Sequence, residues 1–230
     1  ISLWTKKQWA EEFKKEGIRV FGLLISNLVI GICVFQIVLD EAQINFFVVN
    51  SGYRNKGFGT HLMNYLIKEK LIDIKEDGTF RLDMSYFKYH RGFRMTSQKF
   101  HKLFGSPPRK AEDELTQFHM DLASSIQEVT EEIVIKIAYS LRKETGIKNI
   151  CLAGGVALNC VANGKLLEKK IFNDIWIQPA SGDAGSAVGA ALIGWHEYLK
   201  KPREVNPSDS MKGTYLGCNF SNEEIMNYLK

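Results

Sequence analysis

The 230 residues carry 45% hydrophobic and 24% charged side chains, a balance that fits a folded globular chain and excludes a disordered or collagen-like one. The formal net charge of +4 is thinly spread: residues 1–68 hold eight basic and five acidic side chains, leaving 22 and 21 for the remainder. On that split no basic block stands out, so neither a nucleic-acid nor a membrane-surface partner is expected. Thr5 followed by Gln8 is a capping-box pattern and predicts a short helix running to Lys15. Next come two β-rich stretches over 20–25 and 29–38, joined at Ser26-Asn27, which predict a hairpin. A further strand is predicted over 44–49. The polar loop SGYRNKGFG then leads into a helix starting near Thr60, with Leu62, Tyr65 and Leu66 at helical spacing.

The character of the chain changes after Lys70. Residues 71–115 are mixed, with a turn expected at Asp77-Gly78 between two short strands, and Pro107-Pro108 marks a loop. A long helix follows, because Leu122, Ile126, Val129, Ile133, Ile137 and Leu141 form one apolar stripe, and Gly146 is its expected C-terminal cap. If the surface meant to cover that stripe is absent, part of it is exposed and self-association is expected. A strand (NICLA), a Gly-Gly turn and a helix to about Lys169 come next. A second strand (DIWIQ), a second glycine-bearing turn (SGDAGS) and a helix from near Ser186 to about Leu199 complete the series. This order predicts a parallel pair with both turns at one sheet edge.

The four cysteines at 33, 151, 160 and 218 include no C-x-x-C pair, which fits reduced thiols in a cytoplasmic protein. The apolar run over 20–38 is interrupted by Ser26, Asn27 and Gln36 and is not expected to span a membrane. No secretory leader is read at the start of the chain, and the missing initiator Met suggests a natural N-terminus further upstream.

Gly154 and Gly155 lie between a strand and a helix, where glycine lets backbone N–H groups approach a phosphate or a nucleotide edge. Gly182-Asp183-Ala184-Gly185 sits at the end of the next strand, so both turns are expected to face one cleft. An Asp there suits a metal or a nucleotide-bound cation; capping of the following helix is the plain alternative. CLAGGVALNCVANGKLL and IWIQPASGDAGSAVGAAL, together with LIDIKEDGTFRLDMSYF, GSPPRK, LTQFHMDLASSIQEVTEE and TYLGCNFSNEEI, resemble the nodulation- and antibiotic-type O-carbamoyltransferases from about Leu71 onward.

That resemblance implies an α/β chain whose residues 70–230 form the second subdomain of an actin-like ATPase (ribonuclease H-like) fold. The family makes carbamoyl-adenylate from carbamoyl phosphate and ATP in a YrdC-like domain, then transfers the carbamoyl group to a hydroxyl of a small-molecule acceptor. By that resemblance Gly154, Gly155, Asn159 and Gly182 bind the nucleotide. Asp183 matches a metal ligand, for iron or magnesium. The family's other subdomain, with its histidine pair and phosphate loop, has no counterpart here. The resemblance therefore implies a transferase piece that needs a partner supplying the missing domains.

Residues Arg54, Asn55, Lys56, Gly57, Phe58 and Gly59 fit R-x-x-G-x-G after a strand and before a helix, a pattern that wraps a pyrophosphate. With the preceding strands, residues 1–69 resemble part of the GNAT superfamily of N-acetyltransferases, a partial α+β unit. That resemblance implies acetyl-CoA at the loop, and Tyr86 and Tyr89 fall roughly where a protonating tyrosine is sought. Three readings therefore stand: a carbamoyltransferase piece, an acetyl-CoA module, or a non-catalytic product of fusion or truncation.

Overall fold

A computed structural model describes residues 5–38, 41–204, 208 and 217–230. The chain forms two compact units, Ile1–Leu141 and Arg142–Lys230, so residues 70–141 belong to one unit with the N-terminal segment. Both units mix helix and sheet.

The first unit opens with α1 (Lys6–Glu12). The Thr5 side chain accepts from Gln8 N at 3.3 Å and Gln8 Oε1 accepts from Thr5 N at 2.7 Å, so the capping box closes and satisfies two otherwise orphaned donors. Strands β1 (Ile18–Ile25), β2 (Leu28–Val38) and β3 (Glu41–Val49) form an antiparallel sheet in that order. Ser26 and Asn27 both take positive φ, 47° and 68°, the conformation that lets a two-residue turn follow the twist of its strands.

Helix α2 (Phe58–Lys70) buries Leu62, Met63, Leu66 and Ile67. Leu62 approaches β2 at Gly31, where an added Cβ would stand 2.9 Å from the leucine Cδ1. Strands β4 (Ile72–Ile74) and β5 (Phe80–Leu82) form the hairpin expected around Asp77-Gly78. Asp77 Oδ1 accepts from both Thr79 N (2.9 Å) and Thr79 Oγ1 (2.7 Å), which closes the turn. A helix that the sequence reading leaves within mixed structure follows as α3 (Gln98–Phe104), bracketed by Ser97, whose hydroxyl accepts from Phe100 N, and by left-handed Gly105.

Helix α4 (Gln117–Thr145) ends before Gly146, as expected, with Gly146 N donating to Arg142 O. Its apolar stripe is largely covered within the first unit. Val129 and Ile133 are buried in the core with Phe35, Met63, Leu66 and Leu103, while Leu122 and Ile137 pack against it. Ile126 and Leu141 remain exposed. Two of the six stripe side chains are thus exposed.

The second unit contains β6 (Asn149–Leu152), α5 (Cys160–Glu168), β7 (Asp174–Ile177) and α6 (Asp183–Ile193). β6 and β7 pair in parallel, Asn149 opposite Asp174 and Leu152 opposite Ile177, as the β-turn-α order requires. Its small core consists of Ala157, Ala162, Leu166, Ile171 and Phe172. α6 begins at Asp183 rather than near Ser186 and passes into a wide turn over Gly194–Tyr198 instead of running regularly to Leu199. A final helix, α7 (Asn222–Tyr228), is capped by Ser221 and Glu224. Among the described residues no helix is long and apolar enough to cross a membrane.

Candidate functional site

The two glycine turns of the second unit meet. Gly154 N donates to Ser181 O at 2.9 Å, and the Gly182 backbone stands next to Leu158, whose Cδ1 would lie 3.9 Å from a Cβ at that position. The parallel pairing brings this about. Gln178 N bonds Leu152 O at 2.9 Å, so both strands end level and both turns leave the same edge. Ser181 is only 5% exposed, and its hydroxyl donates back to Gln178 O. The sequence reading passed over this serine, although its place in PASGDAG, between the strand end and the helix, is the natural position for such a tie.

Gly154 takes φ of 99°, a left-handed conformation that only glycine adopts cheaply. A side chain built at Gly154 or Gly155 would meet nothing within 4 Å. The first turn therefore presents bare backbone to open space, as a surface that receives a ligand edge must. Across from it α6 is preceded by Gly182, which offers no side-chain cap; Gly185 N donates to Gly182 O at 3.0 Å, and the N–H groups of Asp183 and Ala184 depend on another acceptor. Asn159 plays a structural part as well: its Oδ1 accepts from Ala162 N at 3.0 Å and caps α5. Asp183 is exposed within the first turn of α6, where a carboxylate is favoured by the helix dipole. It does not cap from outside the helix. Among the described residues no group of three or more His, Cys, Asp or Glu side chains is placed to hold a metal ion, so Asp183 belongs to no three-ligand set there and the donor set does not fit a metal by itself.

The loop of the first unit has the expected strand-loop-helix setting. Asn55 and Gly57 take positive φ, 58° and 80°, and Gly57 opens α2. Its cations turn back onto the loop: Arg54 Nε donates to Val49 O at 3.0 Å, while Lys56 Nζ donates to Gly52 O at 3.2 Å and lies over the Tyr53 ring. Phe58 packs edge-on to Tyr53. A cavity of about 410 Å³ lies here, lined by Arg54, Asn55, Gly57 and Gly59 and also by Gln117 and Asp121 of α4. The Asp121 carboxylate presses on the helix start so closely that a Cβ on Gly59 would fall 2.7 Å from Oδ2. An acid thus occupies the position where an anionic ligand would be drawn, an arrangement that no local reading of residues 54–59 could reveal. Tyr86 is buried in the core beneath Lys99, Tyr89 donates to Met84 Sδ at 3.5 Å, and neither is among the described residues that line the cavity at the loop.

Comparison with known proteins finds two overlapping family matches. The model of the GNAT acetyltransferase family matches residues 2–73. That of the carbamoyltransferase N-terminus matches residues 49–192; it begins upstream of Leu71 and overlaps the first match through α2. An uncharacterized protein, sll1178, of Synechocystis is 54% identical over 188 residues, which cover 80% of this chain and 31% of that protein. The nodulation protein NolO of Bradyrhizobium diazoefficiens is 46% identical over 109 residues, 47% of this chain and 19% of that protein. NolNO of Sinorhizobium fredii is 52% identical over 111 residues, 48% of this chain and 16% of that protein. The chain thus spans less than a third of the length of these relatives. Among solved structures, the ribosomal-protein-S18-alanine N-acetyltransferase from Escherichia coli matches at 27% identity over 30% of this chain and 47% of that one, with a TM-score of 0.28, too low to bear on the fold. Since the carbamoyltransferase match takes in more than half of the residues, both glycine turns among them, this chain belongs to the carbamoyltransferase N-terminus family.

Proposed function

We propose that this chain contributes a nucleotide-binding turn pair to carbamoyl transfer, with β6, α5, β7 and α6 forming part of the second subdomain of an actin-like fold. The observation that carries the reading is the Gly154 N to Ser181 O bond, which joins the bare-backbone first turn to the second glycine turn in a chain of this family. In this reading Gly154 and Gly155 lie against the nucleotide of ATP or carbamoyl-adenylate, and the uncapped start of α6 at Gly182 faces its phosphate. Asn159 acts by holding the first turn of α5. Carbamoyl-adenylate, when bound, supplies an activated carbamoyl group for an acceptor hydroxyl. Because Asp183 belongs to no three-ligand set among the described residues, no step is assigned to a metal here; iron or magnesium at Asp183 would need donors from a partner domain.

Calorimetric titration of the chain with ATP tests the reading. A side chain at Gly155 enters open space at an ordinary φ, so Gly155→Leu is expected to fold normally and to lose ATP binding. An intact chain that ignores ATP, or a Gly155→Leu chain that binds it equally well, would refute the proposal.

The second reading, acetyl-CoA at Arg54–Gly59, is favoured by the GNAT match over residues 2–73 and by the left-handed start of α2. It is opposed by the Asp121 carboxylate at the helix start. In the conformation described, the loop serves to seat α4 rather than a pyrophosphate.

A further inference from the structure

The sheet of the first unit has an open edge. β1 is an outer strand, paired only with β2, and its eight residues exceed the usual strand length of about five or six. Among the described residues, none in β1 makes a hydrogen bond beyond its ladder with β2, save that the Arg19 guanidinium donates to Ile18 O at 3.2 Å. Alternate residues of an outer strand aim their N–H and C=O groups away from the sheet, so this side of β1 is a row of unbonded donors and acceptors.

Native edges are blunted by lysine, proline or a bulge, and β1 has none of these. Its sequence, IRVFGLLI, carries one charge, and Arg19 folds that charge back on its own backbone. The bulge in the ladder falls on β2: Leu23 stands opposite Gly31 and Leu24 opposite Val29, which leaves Ile30 as the extra residue. β1 itself therefore runs unbroken. The side chains along the edge are apolar too. Phe21 and Leu23 pack against the core, with the Phe21 ring 4.2 Å from that of Tyr65. By alternation Val20, Gly22 and Leu24 lie on the other face, where all three are exposed, and Ile25, Leu28 and Val29 extend the exposed patch around the hairpin end.

Free backbone groups flanked by apolar side chains, with almost no charge, match another strand of the same kind rather than an anion or a nucleic acid. β1 is itself such a strand. Set antiparallel about a two-fold axis through Gly22, it places Phe21 against Leu23, Val20 against Leu24 and Arg19 against Ile25 of the second copy. No like charges meet, and the apolar pairs are those that stabilise a sheet. We propose that this chain dimerises through β1, which pairs with β1 of a second copy to continue the sheet across a two-fold axis. This contact uses the same edge of both copies, so it closes at two. It gives self-association a seat other than the α4 stripe and does not depend on the nucleotide reading of the glycine turns.

Sedimentation velocity of the 230-residue chain under reducing conditions tests the inference. From about 1 to about 200 μM, the range in which a contact of modest size becomes populated, the chain should pass from monomer to dimer and no further. Raising NaCl should not weaken the dimer, since no ion pair holds it. Hydrogen exchange should find additional slow amides over residues 18–25 at the high concentration only. Val20→Lys combined with Leu24→Lys changes two exposed side chains and charges the edge as native edges are charged. Its melting temperature at about 1 μM should match that of the parent, while the Kd of the dimer rises about tenfold or more. A chain that stays monomeric throughout, or a dimer that the double variant forms equally well, would overturn the inference. So would slowed exchange confined to other segments, which would place the contact elsewhere. Exchange over 18–25 that does not change with concentration would mean that the edge is not the contact, and growth beyond two copies would contradict a pairing that closes; either result overturns it.

Discussion

Gly185 and Gly189 lie one turn apart on α6 and make a matched pair. At Gly189 an added Cβ meets nothing within 4 Å, whereas at Gly185 it would stand 2.0 Å from Ala180 O and 3.2 Å from Ala180 C. Gly189→Ala should therefore show only the helix preference of alanine and stabilise by about 1 kcal/mol. Gly185→Ala gains the same preference but must displace a backbone carbonyl, which cannot swing aside as a side-chain tip can. Overpacking of that kind costs about 1–3 kcal/mol. Opening the turn would also endanger the Gly154 N to Ser181 O bond, which contributes about 1 kcal/mol. The expected net loss is about 1–3 kcal/mol, or about 2–4 kcal/mol relative to its neighbour. Urea unfolding followed by circular dichroism gives the stabilities, and hydrogen exchange at Gly154 N reports on the bond itself. Gly185→Ala should exchange faster there and Gly189→Ala should not. Equal stabilities and equal exchange in the two variants would show that the second turn is not held by this close approach.

Cys33 is buried and its thiol is pushed up to about 12, while Cys151, Cys160 and Cys218 are exposed. Ellman's reagent should label those three rapidly in native protein and reach Cys33 only in denaturant; rapid reaction of all four would contradict the packing. Glu12 is buried, which by itself raises a carboxyl pKa, but donors from Lys15 Nζ (2.6 Å) and Asn45 Nδ2 (2.5 Å) outweigh burial and hold it below the ordinary value. Its contribution should be fully present above the unfolded carboxyl pKa and fade as pH falls through the lower folded value. Glu12→Gln should thus cost about 1–3 kcal/mol at neutral pH and little at the acid end of a melting series; a penalty independent of pH would refute this account. Asp121→Asn removes the charge facing the α2 start and should strengthen acetyl-CoA binding by about fivefold, the scale of a surface helix-dipole interaction. No gain in a filter-binding assay would mean that the carboxylate does not guard the loop.

Local chemistry was legible where it was sufficient. The capping box at Thr5 and Gln8, the Ser26-Asn27 turn, Gly146 and the parallel arrangement of β6 and β7 all follow from residues close in sequence. α3 was not read because its seven residues give periodicity too little length, although Ser97 and Gly105 bracket it as caps do. The start of α6 is placed too late because Asp183 reads as a cap for a helix from near Ser186, while the chain uses Gly182 and puts Asp183 inside the helix. The partner of the α4 stripe could not be read at all. Spacing shows that one face is apolar; only long-range packing shows that it meets α2 and the first sheet.

That packing explains how segments with two family resemblances coexist in one unit. α2 turns Thr60, Asn64 and Lys68 toward α4, which answers with Asp121, Ser125, Glu128 and Glu132. The buried Ser125 hydroxyl lies within bonding distance of Thr60 O (3.2 Å) and Asp121 O (2.6 Å). Asn64 Nδ2 donates to Glu128, and Lys68 pairs with Glu132, which also meets Lys136 at 3.1 Å. Beneath this seam lie Met63, Ile67, Val129 and Ile133, and these apolar residues supply most of the stabilisation. The exposed ion pairs add little, and Asn64 Oδ1 is buried without a partner, at a cost of about 1–3 kcal/mol. A seam that contributes so little net energy acts chiefly on register: each polar residue of α2 meets its counterpart only if α4 neither slides nor rotates. That register sets Asp121 against Gly59, so the contact that closes the loop follows from the way the two helices are locked together.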